Sequence, residues 1–163
     1  MSVDLKDRIY PEGVFHISCM DTYGNIKWSD LTQNMVVTQG KNDLFNKYFN
    51  GSAYTSAFFV GIKGPGDIAL TDTALSHPAW TEITSYSSGL RPAFIASTSS
   101  DASVNNNANA AIFTMTGTAS VAGCLISTTV SGVSGVLFSA ANFASTRTAS
   151  IGDTIIITYT VSC

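Results

Sequence analysis

The sequence predicts an all-β fold, mainly antiparallel: a jelly-roll-like β-sandwich with one short helix. Three observations carry that reading. Short runs rich in β-branched and aromatic residues recur through the 163 residues, separated by Gly, Pro, Asn and Asp. The last run, residues 154–161, alternates cleanly, with Ile155, Ile157, Tyr159 and Val161 facing one way. Only one segment has convincing helical spacing. About seven to nine short strands so arranged suit a sandwich or jelly roll. Nothing repeats at a fixed period, which speaks against a solenoid or propeller.

Residues 14–20 read as a strand with Phe15, Ile17 and Cys19 on one face. Residues 21–25 form a turn, with Gly24 and Asn25 tolerant of positive φ. Residues 26–29 return as the partner strand of a hairpin. Thr38 or Gly40 opens the helix, and Leu44, Phe45, Tyr48 and Phe49 make its apolar face. Asn50-Gly51 stops it. So short a helix must dock on a sheet face or on the open end of a sandwich.

Beyond the helix the signals are β. Residues 57–62 form an aromatic and β-branched run, and residues 63–67 a loop. Residues 80–84 and 93–96 are short strands. Residues 98–109, with Asn105-Asn106-Asn107, read as a polar loop. Residues 110–116 and 120–128 are strands, the first with Phe113 and Met115 on one side. A flexible loop, residues 131–135, leads to a short strand at 136–139, and Gly152-Asp153 is the turn before the last strand. No composition break divides the chain, so residues 1–163 read as one sandwich domain, with residues 1–12 an extended N-terminal arm.

Charged residues make up only 12%, against roughly 25% in an ordinary soluble domain, and hydrophobic residues reach 45%. Such a surface solvates poorly by charge, which points to faces covered by partners. Net charge is −3 and no run of Lys or Arg builds a basic face, so direct nucleic-acid binding is disfavoured. Residues 2–8 lack the apolar core of a secretory signal, and runs such as Ala57-Phe58-Phe59-Val60 are too short to span a bilayer. The expectation is a protein made and assembled in the cytosol, with no membrane.

Three cysteines far apart, Cys19, Cys124 and Cys163, do not suggest a disulfide framework. Cys19 and Cys124 read as small buried hydrophobes, and Cys163 as exposed. Two separated histidines add no recognisable metal spacing.

The segment 72–92 concentrates His77, Trp80, Glu82, Tyr86 and Arg91 in a chain poor in such residues. Asp72, Ser76 and His77 invite a triad reading, but one local loop is a poor source of a triad, and no G-x-S-x-G turn exists. The plainer role of His77 and Asp72 is to tie the loop down. Asp30 and Glu82 are candidate paired carboxylates that nothing in sequence brings together. Trp28 and Trp80 are a sugar platform or, more simply, core or interface packing. Arg91, held extended by Pro92, stands beside Tyr86 as an interface contact or an ordinary surface charge. Trp80, Tyr86 and Arg91 are therefore the candidate interface anchors; no catalytic residue, cofactor or metal site is assigned.

Asp72, Thr73, Ser76, His77, Trp80, Glu82, Tyr86, Arg91 and Pro92 together resemble a D-T-x-x-S-H-x-x-W-x-E pattern, with its later tyrosine and R-P pair, of a tailed-phage virion protein family. Gly24-Asn25-Ile26-Lys27-Trp28, Gly40-Lys41-Asn42 and Gly152-Asp153-Thr154-Ile155 extend the resemblance over most of the chain. It implies a virion structural protein, closest to a capsid cement or decoration protein on the capsid exterior, bridging major capsid subunits. The expected partners are the major capsid protein and the chain itself, as a homotrimer or homodimer. The alternatives are a tail-associated or receptor-binding virion module, with carbohydrate as one candidate ligand, and a glycan hydrolase.

Overall fold

The first and last of the described strands lie side by side. The computed structural model describes residues 11–53 and 57–163. In it β1 (Glu12–Met20) runs antiparallel to β11 (Thr154–Ser162), in unbroken register from Glu12 opposite Ser162 to Met20 opposite Thr154. Residues 1–10, most of the expected arm, lie outside the described residues; Glu12 already belongs to β1.

The other edge of β1 takes β2 (Ile26–Gln33) through a tight hairpin. Asp21 Oδ1 accepts the N–H groups of Tyr23 and Asn25, both at 2.9 Å, and Gly24 takes φ +85° to close the turn. The free edge of β11 takes two short strands in succession, β7 (Ser103–Asn105) and β8 (Ala111–Thr114). Asn106 bridges the gap between them: its Oδ1 accepts the Tyr159 N–H at 2.7 Å, so the ladder has no orphan donor there. This first sheet reads β2-β1-β11-β7, with β8 also on β11.

The second sheet reads β3-β10-β9-β4-β5: β3 (Met35–Val36), β10 (Leu137–Ala149), β9 (Ala119–Ser127), β4 (Phe58–Lys63) and β5 (Glu82–Ile83). A further short strand, β6 (Ala93–Phe94), also pairs with β4. All pairings are antiparallel.

Alternation makes the sandwich. Phe15, Ile17, Cys19, Ile155, Ile157 and Tyr159 point inward from the first sheet. Val60, Ile62, Cys124, Ile126 and Ala141 meet them from the second. The fold is thus the antiparallel all-β sandwich that the sequence predicts, with one helix. β9 departs from simple alternation, being buried from Val121 through Ser127 on both faces. Its outer face carries a second hydrophobic layer, in which Leu125, Leu137 and Ala140 are covered by Val37, Ala74 and Trp80.

Three expectations need correcting. Residues 103–105 are a strand inside the segment read as a loop. The strand read at 136–139 runs from Leu137 to Ala149 and is the longest described. Its second half is mostly Ala, Ser and Thr, with Phe143 the one large apolar residue, which is too little to signal a core face; pairing with β9 on either side of an irregularity between Asn142 and Arg147 makes it a strand. The third is the direction of the helix. Helix α1 (Thr38–Phe49) forms where expected, and Gly51 at φ +64° ends it. Its apolar stripe, however, faces outward. The helix docks by its first turn: Gly40 is buried against the Phe138 backbone, and Gln39 Oε1 accepts the N–H groups of Ala74 at 3.0 Å and Leu137 at 2.8 Å.

Candidate functional site

The segment 72–92 runs from the outer hydrophobic layer of the second sheet, through β5 at its edge, to the main core, and turns its distinctive side chains inward. Trp80 lies in the outer hydrophobic layer, 3% exposed. Its indole Nε1 donates to Asp72 Oδ2 at 2.8 Å, and the Ala69 N–H donates to the same oxygen at 3.1 Å. The His77 ring stacks on Trp80 with centroids 3.9 Å apart and planes 14° apart. Its Nδ1 lies 2.9 Å from the Trp80 carbonyl oxygen, which can only accept, so that nitrogen carries the hydrogen. Asp72 therefore serves Trp80 and the Ala69 backbone, while His77 serves the Trp80 backbone. The two tie the loop down, and their described hydrogen bonds do not join them in a relay.

Arg91 is 7% exposed. Its Nε and Nη2 each donate to Glu82, at 2.6 Å, one to each carboxylate oxygen. Nη1 reaches the Thr129 carbonyl at 2.7 Å and Nη2 the Gly132 carbonyl at 2.9 Å. The guanidinium thus clamps the loop between β9 and β10 onto β5. Tyr86, 4% exposed, meets Phe113 edge-on at 4.9 Å in the main core. Burial, then the Glu82 charge, pushes its hydroxyl up to about 12.

This corrects the reading of Trp80, Tyr86 and Arg91 as surface anchors. All three are interior groups whose contacts are made within the chain. The same residue types dominate cores and interfaces, and sequence does not separate the two. Asp30 and Glu82 do not form a carboxylate pair either: Arg147 lies 3.5 Å from Asp30, and Arg91 occupies Glu82. Trp28 donates to the Thr148 carbonyl at 3.0 Å and packs near Phe143, away from the Trp80 layer. Cys19 and Cys124 are buried and Cys163 is exposed, as expected. Burial, with Asp153 nearby, raises the Cys19 thiol to about 11. Among the described residues no three His, Cys, Asp or Glu side chains converge as a metal site, and no helix is long and apolar enough to cross a membrane.

The exposed apolar surface lies elsewhere. On α1, Phe45, Tyr48 and Phe49 are 55%, 81% and 72% exposed. Their rings form one cluster, Phe45 to Phe49 at 5.9 Å and Tyr48 to Phe49 at 5.1 Å. Asp43 and Lys47, at 2.8 Å, neutralise each other on the same helix. Leu44 joins the stripe to a depression of about 280 Å³ that shares Val104, Phe138 and Val161 with a groove of about 610 Å³ at the open end of the sandwich. Phe58, Phe94 and Ile95 complete the groove's apolar wall, and among the described residues no charged side chain lines either hollow. Sequence reasoning found the stripe but turned it toward the protein.

Neither the scan against protein-family models nor the search of curated proteins matches this chain.

Proposed function

We propose that this protein is a structural component of a tailed-phage virion that works by adhesion, as a capsid cement protein on the outside of the shell. The observation that carries the reading is the exposed, uncharged aromatic stripe of α1 running into the apolar groove. A solvated monomer has little use for three clustered aromatic rings, whereas large aromatics are the usual anchors of protein contacts. The low charge content and the phage-like segment at 72–92 favour the same reading. The antiparallel sandwich supplies a rigid body on which to present the stripe.

Its partners are the major capsid protein and further copies of the chain, in a homotrimer or homodimer. Each contact need only be modest, because a lattice of repeated contacts multiplies avidity. Binding only the assembled shell stabilises that state by mass action, against internal DNA pressure. The protein performs no reaction and needs no cofactor in this role.

The test is co-sedimentation of the purified protein with assembled shells, beside Tyr48→Glu and Phe49→Glu variants. Both positions are exposed, so the variants should melt with the wild type, within about 0.5 kcal/mol. Their binding to shells should fall at least tenfold. Unchanged binding, or a copy number in the particle far below that of the capsid subunit, overturns the cement reading; the low copy number would favour a tail module.

A further inference from the structure

Lys63 and Asn142 stand opposite the same residue. Gly123 of β9 pairs with Lys63 of β4 on one side and with Asn142 of β10 on the other. Their neighbours Ile62, Cys124 and Ala141 belong to the core between the sheets, so strand alternation places Lys63, Gly123 and Asn142 on the outer face. Glycine keeps the space between them open. A Cβ at position 123 would collide with the Ala141 carbonyl oxygen and lie 3.1 Å from Lys63 Cδ. Without it the lysine stem crosses β9, and Nζ reaches Asn142 Oδ1 at 2.6 Å.

The amine is held there. Its Nζ also bonds the Gly66 carbonyl at 2.9 Å and lies 5.4 Å from the centre of the Trp80 ring. Asn142 is fixed from its other side by Thr32 Oγ1, which donates to its backbone carbonyl at 2.6 Å. Lys63 is fully buried, yet among the described residues no carboxylate comes within ion-pair distance of it. Burial without a counter-ion disfavours the ammonium. It pulls Lys63 down to about 8, with Cys124, Asp67 and Asp72 acting in the opposite direction. Roughly a tenth of the amine is then neutral and nucleophilic at pH 7, and more at mildly alkaline pH, touching a carboxamide.

We propose that Lys63 and Asn142 join in an intramolecular isopeptide bond that ties β4 to β10 across β9. The Nζ lone pair attacks Asn142 Cγ, one bond beyond the oxygen it already contacts. The Nζ–Cγ bond forms and the Cγ–Nδ2 bond breaks. The amide nitrogen departs as ammonia, carrying a proton given up by Nζ. One amine and one primary amide become one secondary amide and one ammonia, and no oxidant, reductant or further reactant enters. Fixed proximity supplies the effective concentration that the reaction needs. The product replaces a buried charge by a neutral amide, and Asn142 is exposed enough for ammonia to escape. The cross-link spans 79 residues of sequence and binds the middle three strands of the second sheet into one covalent unit. The inference does not depend on the cement reading, since it concerns only the chain's own chemistry.

Intact-mass spectrometry of the full chain, fresh and after incubation at mildly alkaline pH, tests it. The expected product is one ammonia lighter than the sequence mass, and its tryptic digest contains a branched peptide joining residues 63 and 142. Lys63→Met should keep the full mass, and Asn142→Asp should form the same link with loss of water. A wild-type digest that yields only unlinked peptides overturns the proposal, and so does an ammonia loss that persists in Lys63→Met, which would mark a succinimide at Asn142. The wild-type digest decides even if a variant fails to fold.

Discussion

Glu82 and Arg91 meet fork to fork beneath the surface, Nε to Oε1 and Nη2 to Oε2, each at 2.6 Å. The arginine side chain is only 6% exposed and its remaining donors bind the Thr129 and Gly132 carbonyls. Removing the carboxylate strands a guanidinium in a covered site. Glu82→Ala should therefore cost about 3–5 kcal/mol, read as a lower urea midpoint at an unchanged slope. In the double variant Glu82→Ala, Arg91→Ala no charge is left stranded, so its loss should be well below the sum of the two single losses. Strict additivity in that cycle would mean that the pair is not coupled.

The sandwich itself was legible because its central strands obey one rule without interruption. Phe15, Ile17 and Cys19 in β1, and Ile155, Ile157 and Tyr159 in β11, alternate with residues of the outer face and pack on one another. β10 was not legible past Ser139, since Ala140 to Ala149 holds one large apolar residue, Phe143, and is a strand because β9 pairs with it. The site was legible as a place but not as a role. The unusual composition of residues 72–92 marks a segment with specific contacts, and those contacts turn out to be internal. The direction of α1 was hidden because its buried contact is made by Gly40, a residue with no hydrophobic signal. Lys63 left no signal either, because a lysine after a strand is ordinarily a surface residue.

Gly40 separates two forces that act in opposite directions. Replacing a glycine within a helix by alanine ordinarily stabilises it, by up to about 1 kcal/mol. Here the new Cβ would land on the Phe138 carbonyl oxygen, with the Phe138 Cα and carbonyl carbon at 2.8 Å. These are backbone atoms of a paired strand and cannot swing aside. Gly40→Ala should therefore destabilise the protein by about 1–3 kcal/mol, the usual cost of overpacking. Asn42→Ala, on the exposed side of the same helix, should instead gain a few tenths by propensity, about 0.5 kcal/mol. Thermal melts of the two variants make the comparison. A stabilised Gly40→Ala protein would show that the helix does not dock through its first turn.

Asp153 gives the fold a predictable response to acid. It sits in the turn before β11, where its Oδ2 accepts from Lys27 Nζ at 2.5 Å and from the Ser150 N–H at 2.7 Å. Burial acts to raise its pKa, but the Lys27 and Ser150 hydrogen bonds, with the Lys27 charge and Cys19 adding to them, hold it below the ordinary carboxylate value. A folded-state value below the unfolded one favours the native state at every pH above the unfolded pKa, about 3.9 for aspartate. That contribution drains away as pH falls through the lower folded value. Lys27, raised chiefly by its hydrogen bond to Asp153, and Cys19, raised to about 11, do not change charge in this window. Asp153→Asn keeps the shape of the turn and removes the charge. Wild type should melt above the variant by a constant margin at neutral and mildly acidic pH, and the two midpoints should converge once pH falls below about 4. A margin that survives unchanged at the acid end would mean that the Asp153 carboxylate contributes through shape alone and that its charge does not stabilise the β10–β11 turn.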